Sequence, residues 1–325
     1  MTWLITGGAG YIGSHVIASM TEAGERVVVV DDLSGGDAAR VPEGVPLERG
    51  TVLDRPFLDR VLREHGVHGI VHLAAKKAVG ESVERPLFYY QENVTGLQVL
   101  LSAAVDAGVR AFVFSSSASV YGTPDVDLVT EETPCLPLSP YGETKLAGEW
   151  LVRATGRAHG MSTACLRYFN VAGAAAPALA DTGVFNLVPM VFERLAAGLP
   201  PRIFGDDYAT PDGTCVRDYI HVADIADAHL AVARRLDERA EAGQGGDLTF
   251  NIGSGEGVSV REMIDLIGEI TGLDATPEIV DRRPGDPAKV VASAERIATE
   301  LGWKARHDVR SMIASAWEGR VHPAE

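Results

Sequence analysis

The fold of this chain is decided by its first glycine-rich stretch, Trp3-Leu4-Ile5-Thr6-Gly7-Gly8-Ala9-Gly10-Tyr11-Ile12-Gly13. The apolar residues at its start predict a short buried strand, and residues 12–23 have the spacing of a helix that ends at Gly24. Gly7, Gly10 and Gly13 fall in and around the turn. Glycine permits a tight turn and lets a pyrophosphate approach the backbone, while the helix N-terminus stabilises its charge. This strand–turn–helix unit predicts a dinucleotide-binding domain.

Strands and helices alternate from this unit to about residue 170. The sequence predicts strands at 26–31, 69–74, 111–115 and 162–167, and helices at 57–65, 86–107 and 140–159. The strands are largely continuous apolar runs, which is typical of parallel strands that are buried on both faces. We therefore predict an α/β fold, a Rossmann-type doubly wound parallel sheet with helices on both faces.

The second half of the chain has a different character, with a small-residue loop at 172–183 and turn-rich segments around 198–213. Helices are predicted at 258–271 and 293–301. We expect a dinucleotide-binding domain at 1–170 and a smaller α/β substrate-binding lobe at 171–325. The lobe is expected to be discontinuous, because a segment near 214–235 has the character of a return to the first domain.

Composition excludes several classes of partner. The 325 residues include 29 basic and 45 acidic ones, a formal charge of −16, and nucleic acids and anionic membranes both require a basic face. Three scattered cysteines without CxxC spacing argue against a disulfide framework or a metal site. The sequence shows no leader-like N-terminus and no apolar run of membrane-spanning length, so we expect a cytoplasmic protein.

Tyr141 and Lys145 are four residues apart at the start of a predicted helix and therefore share one helix face. A nearby ammonium lowers the pKa of a phenol, and a phenolate is a general base. Beside a nicotinamide cofactor, such a base drives the oxidation of an alcohol. Ser117, just after a predicted strand, is placed to hydrogen-bond the reacting oxygen. The alternative for Lys145 is an ordinary surface lysine.

Asp31 and Asp32 end the second predicted strand, where an acid binds the ribose hydroxyls of a dinucleotide. Two carboxylates repel a 2′-phosphate, which favours NAD over NADP. The alternative for both acids is a solvated turn. Lys77 follows the next predicted strand, and it is either a phosphate contact or a solvated loop charge.

Arg217 and Arg283 lie in turn-rich segments of the second half. Arginine binds phosphate oxygens through two parallel hydrogen bonds, so the pair suggests a second anion site. Ion pairs with the neighbouring Asp218 and Asp286 are an equally good interpretation.

The chain also resembles a known family. Six of its motifs resemble those of the UDP-glucose 4-epimerases, which belong to the extended short-chain dehydrogenase/reductase superfamily. They are Gly7 to His15, Lys76-Lys77-Ala78-Val79-Gly80-Glu81-Ser82, Ser115-Ser116-Ser117-Ala118-Ser119-Val120-Tyr121-Gly122, Ser139-Pro140-Tyr141-Gly142, Arg167-Tyr168-Phe169-Asn170 and Val216-Arg217-Asp218-Tyr219-Ile220-His221-Val222. The resemblance covers nearly the whole chain.

The resemblance implies a tightly held NAD that is regenerated in each turnover. Tyr141 would take the proton of the sugar 4-hydroxyl, with Ser117 hydrogen-bonded to that oxygen, while NAD accepts the C4 hydride. The 4-keto sugar would then turn over in the pocket and receive the hydride on its other face. Lys145 would hold the nicotinamide ribose. Relatives pair two long helices, here 86–107 and 140–159, into a homodimer.

The family's binding residues carry over by position. The implied NAD contacts are Gly7, Gly10, Tyr11, Ile12, Gly13, Asp31, Asp32, Thr51, Val52, Leu73, Ala74, Ala75, Lys77, Asn93, Ser115, Tyr141, Lys145 and Phe169. The implied UDP-sugar contacts are Ser117, Tyr141, Asn170, Asn186, Leu187, Phe204, Arg217, Arg283, Asp286 and Val290.

Two positions depart from the family pattern. Gly50-Thr51-Val52 stands where relatives commonly carry an aspartate that binds the adenine amino group, so weaker NAD retention is expected. Val290 stands where some relatives carry a bulky tyrosine, and a small side chain widens the sugar pocket. We therefore expect UDP-GlcNAc and UDP-GalNAc to be substrates as well.

Three rival functions are weighed against this one. A 4,6-dehydratase needs an Asp-Glu pair where this chain has Ala118 and Ser119. A UDP-uronic-acid 4-epimerase uses the same machinery and stays open. A non-catalytic NAD-binding regulator is the remote alternative, since such proteins tend to lose the Tyr/Lys pair that is present here.

Overall fold

The computed structural model describes residues 1–283 and 285–321, and the chain divides into two compact units. The first unit comprises Met1–Val120, Pro137–Arg167 and Ala226–Phe250. The second comprises Tyr121–Leu136, Tyr168–Ile225 and the chain from Asn251 onward. The segment that returns to the first unit thus begins later than the expected 214–235, because the preceding strand pairs within the second unit.

Thirteen strands are formed by the described residues. They are β1 (Thr2–Thr6), β2 (Arg26–Asp31), β3 (Leu47–Arg49), β4 (Val67–His72), β5 (Ala111–Ser117), β6 (Ser162–Tyr168), β7 (Asn170–Ala172), β8 (Arg202–Phe204), β9 (Val216–His221), β10 (Gly246–Ile252), β11 (Gly257–Ser259), β12 (Glu278–Val280) and β13 (Lys289–Val290). The predicted strands at 26–31, 111–115 and 162–167 all fall within β2, β5 and β6.

Eleven α-helices connect the strands in the described part of the chain. They are α1 (Tyr11–Glu22), α2 (Arg55–Glu64), α3 (Val79–Glu84), α4 (Pro86–Tyr89), α5 (Gly96–Asp106), α6 (Pro140–His159), α7 (Leu187–Ala196), α8 (Val222–Glu241), α9 (Val260–Thr271), α10 (Glu295–Leu301) and α11 (Val309–Val321). α6 begins where predicted, because the Ser139 hydroxyl accepts a hydrogen bond from the Gly142 amide and Pro140 fits the first turn.

The main sheet has seven strands in the order β10-β6-β5-β4-β1-β2-β3. β1 is parallel to both β2 and β4, so the chain winds outward in two directions from β1. This reversal is the topological switch point, beside which open α/β sheets bind ligands at the carboxyl ends of their strands. The predicted Rossmann-type doubly wound sheet is confirmed.

The predicted helix 86–107 is not a regular α-helix. It runs as α4, then as a π-helical segment at Tyr90–Thr95, and then as α5. A π-turn inserts an extra residue and re-aims side chains, often at functional sites. Here Asn93 lies in the π-segment and is buried, and its side chain forms hydrogen bonds with the Lys76 backbone.

The second unit is built on a smaller sheet in which β9 is the central strand. β11 pairs with β9 antiparallel, while β13 and β7 pair with it in parallel. β8 and β12 form a separate two-stranded parallel sheet. Apolar residues of α7, α9 and α11, among them Phe192, Ile267 and Ile313, form the core of this unit.

Candidate active site

The glycine turn leaves no room for side chains. Gly7 has φ +72°, and a Cβ there would lie 2.7 Å from the Ala74 backbone nitrogen. A Cβ on Gly13 would lie 2.2 Å from the Gly7 carbonyl oxygen. Gly10 precedes α1 without a side-chain cap, so the cradle formed by Gly7, Gly10 and Gly13 adjoins helix amides that no capping side chain occupies. This cradle fits a pyrophosphate.

The two acids at the end of β2 have different surroundings. The buried Asp31 carboxylate accepts the Ala9 amide at 3.0 Å and the Leu33 amide at 2.8 Å. Burial raises the pKa of Asp31 above its ordinary value in spite of both bonds. Partial burial would also raise the pKa of Asp32, but hydrogen bonds from Ser34 outweigh it and lower this pKa. Asp31 therefore ties the glycine turn to β2, and Asp32 is the more open acid.

The loop after β4 is held by Asn93. Its side-chain oxygen accepts the Lys76 amide at 2.8 Å, and its side-chain nitrogen donates to the Lys76 carbonyl and the Thr144 hydroxyl. The Lys76 ammonium donates to the Ser34 hydroxyl at 2.8 Å, whereas Lys77, the lysine that the sequence singled out, is exposed. No role was assigned to Lys76 from the sequence, because the adjacent Lys77 lies in the same motif and was chosen instead.

Ser117, Tyr141 and Lys145, the residues that the sequence singled out for catalysis, lie close together in the structure. The Lys145 ammonium is buried and donates to the Ser115 carbonyl at 2.8 Å, and it lies 5.9 Å from the Tyr141 ring centre. Ser117 hydrogen-bonds Tyr141, and its hydroxyl oxygen lies 3.1 Å from the Ser119 hydroxyl oxygen. One carbonyl at the end of β5 thus fixes the lysine beside the tyrosine that shares its helix.

The pKa values of this cluster differ from the prediction. Burial lowers the pKa of Lys145 to about 7. Burial also raises the pKa of Tyr141, and the hydrogen bond from Ser117 opposes that rise without cancelling it. The expected lowering of the Tyr141 pKa by Lys145 is therefore not found in the protein alone, where burial of the phenol is the largest influence on this pKa.

His72 is a further residue that the sequence did not reveal. It lies at the end of β4, and its Nδ1 atom is 2.7 Å from the Thr6 hydroxyl. Burial and, to a smaller extent, the Lys145 charge lower the pKa of His72 to about 3. His72 is therefore neutral, which avoids a second positive charge beside the buried lysine.

In the second unit, residues predicted to bind UDP pair with one another. Arg217 lies 3.5 Å from the Asp286 carboxylate, and the Arg283 guanidinium stacks over the Phe204 ring at 3.7 Å from its centre. Val290 pairs with Arg217 in the register of β13 and β9. The sequence allowed the two arginines either to bind an anion or to pair with nearby acids. The structure shows such an ion pair between Arg217 and Asp286.

Asp218, the other acid considered as an arginine partner, has a structural role. Its buried carboxylate accepts hydrogen bonds from the Ser254 amide and hydroxyl and from the amides of Gly255 and Ala292. Its carbonyl accepts the Asn170 side chain at 3.0 Å. Asp218 therefore anchors the loops on both sides of β9.

The remaining predicted residues have the following places. Tyr11 and Ile12 open α1, while Leu73, Ala74 and Ala75 follow β4 and are half-buried. The Thr51 hydroxyl accepts the Leu53 amide at 3.3 Å, and Val52 is buried against Gly96. Phe169 is buried in the second unit, Asn186 precedes α7, and Leu187 is its first residue.

Two further searches of the described residues gave negative results. None of the helices described is both long and apolar enough to cross a membrane. Within residues 1–283 and 285–321, no group of three or more His, Cys, Asp or Glu side chains could hold a metal ion.

A doubly wound sheet with a glycine cradle, an acid at the end of β2 and a Ser-Tyr-Lys cluster defines a nicotinamide-dependent enzyme of the short-chain dehydrogenase/reductase type. The sequence profile of the NAD dependent epimerase/dehydratase family matches residues 3–253. The chain belongs to this family.

Similar proteins agree with this membership. The UDP-glucose 4-epimerase of Azospirillum brasilense is 45% identical over 324 residues, which cover 97% of this chain and 91% of the relative. The UDP-glucose-4-epimerase of Stenotrophomonas maltophila, solved with NAD and formylated UDP-arabinopyranose, is 41% identical with a TM-score of 0.92 and covers 99% and 98% of the two chains. The Bifidobacterium longum enzyme, solved with NAD+ and UDP, is 37% identical, also with a TM-score of 0.92, and covers 99% of each chain.

The buried lysine predicts a pH-dependent stability. Because its pKa is about 7 when folded and 10.5 ordinarily, the unfolded chain binds more protons between these values, and stability rises with pH across that window. Lys145→Met removes the cost of burying the ammonium. We expect cofactor-free Lys145→Met to be more stable than the wild type by about 2 kcal/mol at pH 6.5, with a gain that shrinks toward pH 10.

Urea unfolding at a series of pH values measures this difference. Lys289→Met is the matched control, because Lys289 is an exposed lysine that faces Asp127 at 3.2 Å. Its stability difference from the wild type should be small at every pH. Parallel stability curves for Lys145→Met and the wild type would contradict the interpretation of Lys145 as a strained buried charge.

Proposed function

We propose that this protein catalyses the NAD-dependent 4-epimerisation of UDP-galactose and UDP-glucose through a 4-keto sugar. The observation that carries the proposal is the Ser115–Lys145 hydrogen bond, which holds the lysine beside Tyr141 and places both against the strand end that bears Ser117. The similarity to UDP-glucose 4-epimerases over nearly the whole chain supports the same reaction.

The residues of the first unit supply binding and proton transfer. The cradle of Gly7, Gly10 and Gly13 takes the pyrophosphate of NAD, and the acids at the end of β2 take its ribose. NAD, when bound, accepts a hydride from the sugar C4 and returns it. The Tyr141 phenolic oxygen takes the proton of the 4-hydroxyl and gives it back, and Ser117 hydrogen-bonds the same oxygen.

Proton transfer requires the Tyr141 pKa to fall from its raised value in the protein alone. A positive charge within a few ångströms favours the phenolate. Lys145 supplies such a charge when it is protonated, and its hydrogen bond to Ser115 keeps it in place. The lysine thus acts on Tyr141 through its charge state, which its pKa of about 7 makes sensitive to binding.

The second unit supplies the groups for the UDP part. The Arg217 guanidinium has the geometry to bind a phosphate. Arg283, which stacks over Phe204, is assigned to the same ligand. Asp286 keeps Arg217 in position through its ion pair. Asn170, Asn186 and Leu187 are assigned to the same ligand on the strength of the family pattern.

The alternatives are less favoured. Three relatives that match over nearly the full length at 41–45% identity are UDP-glucose 4-epimerases, whereas a neighbour solved with UDP-glucuronic acid and NAD is 31% identical. The higher identity favours the UDP-glucose reaction over a uronic-acid 4-epimerase. A non-catalytic regulator would not need a lysine buried at a cost in stability. The 4,6-dehydratase acid pair is missing, as Ala118 and Ser119 show.

We also propose a cytoplasmic homodimer. Its interface would be an exposed apolar face of the first unit, formed by Val83 of α3, Leu87 of α4, Tyr90 of the π-segment and Trp150 of α6. Leu87 and Trp150 are 85% and 61% exposed, which is costly for large apolar side chains in water. A second copy of this face would bury them.

Tyr141→Phe tests the reaction. The purified wild type is expected to convert UDP-galactose to UDP-glucose, followed by proton NMR, and Tyr141→Phe should lower kcat at least about 100-fold because the proton acceptor is lost. Running the assay with and without added NAD tests retention at Thr51. Activity only with added NAD indicates weak adenine binding, and no conversion in either case overturns the proposal.

Val290→Tyr tests the sugar pocket. The wild type is expected to interconvert UDP-GlcNAc and UDP-GalNAc, and the larger side chain should abolish this while UDP-galactose turnover persists. UDP-galactose serves as the internal control for folding and cofactor binding. Equal failure of both enzymes on UDP-GlcNAc would contradict the role of Val290.

Trp150→Glu tests the homodimer. Light scattering after gel filtration should give twice the chain mass for the wild type and a single chain mass for Trp150→Glu, because the interface would then bury an unpaired charge. Leu273→Glu, at an exposed apolar residue of the second unit, should leave the mass unchanged. A monomeric wild type refutes the dimer.

A further inference from the structure

A buried carboxylate that the catalytic steps do not use lies one helical turn after Lys145. Glu149 is fully buried and accepts four hydrogen bonds. Arg167 donates to both of its oxygens, at 2.8 and 2.7 Å, Arg153 donates at 2.9 Å, and the Ser116 hydroxyl donates at 2.6 Å. Each oxygen thus has two donors, which fills the capacity of a carboxylate.

The Ser116 bond is the one that reaches the catalytic strand end. Ser116 lies between Ser115, whose carbonyl holds Lys145, and Ser117, which hydrogen-bonds Tyr141. Lys145 and Glu149 lie on one face of α6, since they are four residues apart. The end of β5 is therefore fixed against α6 by two hydrogen bonds, Lys145 to the Ser115 carbonyl and Ser116 to Glu149. Their partners are one turn apart on the helix and one residue apart on the strand.

Stability alone is a poor explanation for this arrangement. Burying a charged pair costs desolvation free energy, and apolar residues of similar volume are often as stable or more so. A set of four directional bonds, by contrast, defines a position much more narrowly than apolar packing. The same carboxylate is also tied to β6 through Arg167 and to β10 through Arg153 and Thr249, so it is held by the sheet itself.

We propose that Ser116 and Glu149 are positioning residues that set the distance between the end of β5 and the start of α6, and thereby between Ser117 and Tyr141. They touch neither sugar nor cofactor in this assignment. The inference rests on the proposed function in one respect, because its most direct test measures epimerase turnover. It extends that function to residues outside the Ser-Tyr-Lys cluster.

Ser116→Ala tests the proposal. The variant removes one hydroxyl and leaves Glu149 with its three arginine bonds, so the fold is expected to persist. We expect kcat on UDP-galactose to fall about 10-fold, because misplacing a catalytic group by a fraction of an ångström slows the chemical step. KM is expected to stay within about twofold, because the groups assigned to UDP are untouched. Ser116→Cys, with a weaker donor, should fall less.

Thr163→Val is the matched control. Thr163 is also buried against α6, at Gly156, but its hydroxyl has no hydrogen-bond partner among the described residues. Its loss should leave kcat and KM unchanged. A purely structural role of Ser116 would lower the melting temperature of Ser116→Ala and leave kcat of the folded enzyme at the wild-type value, which would overturn the proposal.

Hydrogen exchange of the intact protein separates failure of this inference from failure of the proposed function. If the wild type turns over UDP-galactose, the kcat of Ser116→Ala relative to the wild type decides whether Ser116 has a positioning role. If it does not, the proposed function fails, and exchange of the backbone amides at 117–119 decides instead. Faster exchange there in Ser116→Ala but not in Thr163→Val would support the positioning role, and equal exchange in the two variants would refute it.

Discussion

The first unit depends on a steric constraint, the absence of a Cβ at Gly7 and Gly13. At these positions β1, the start of α1 and the residues after β4 approach so closely that a methyl group would meet backbone atoms at 2.7 and 2.2 Å. The contact sets where α1 begins and leaves its first amides adjoining the cradle. The Asp31 carboxylate then bonds to the Ala9 amide, which links the turn to β2. The absence of a Cβ at Gly7 and Gly13 therefore allows both the close packing of the turn against the sheet and the cradle for the nucleotide.

Two kinds of buried polar group surround the Ser-Tyr-Lys cluster in the first unit. Glu149, Arg167 and Asn93 are satisfied by several hydrogen bonds, and they hold helices and loops to the sheet. Among the described residues Lys145 donates to the Ser115 carbonyl, and burial brings its pKa to about 7. A lysine in this state is poorly compensated, which is typical of a group retained for chemistry. The satisfied groups provide the rigid frame that keeps the poorly compensated one in place.

The sequence was sufficient for five of the seven strands of the main sheet and for the shared helix face of Tyr141 and Lys145, because both follow from local patterns, whereas the edge strands β3 and β10 were not predicted. Apolar runs and helical spacing located the strands, and the four-residue spacing brought Tyr141 and Lys145 onto one face. The π-segment, Lys76, His72 and the Ser116–Glu149 bond could not be predicted in this way. Each depends on contacts between residues far apart in the chain, such as Asn93 with Lys76 and Glu149 with Arg167.

The charge distribution of the second unit explains how an acidic protein can hold an anionic ligand. A net charge of −16 repels a diphosphate at long range, and salt screens that repulsion beyond about 8 Å. At contact distance the attraction of nearby charged groups exceeds the repulsion by the net charge. A guanidinium that donates two hydrogen bonds to phosphate oxygens touches them directly, so little solvent screens the attraction. Asp286 lies 3.5 Å from Arg217 and partly offsets its charge, whereas Phe204, which stacks with Arg283, carries no charge. The two arginines therefore differ in how far a neighbouring charge offsets their own, and under the proposed function we expect Arg283 to supply the greater part of the attraction for an incoming phosphate.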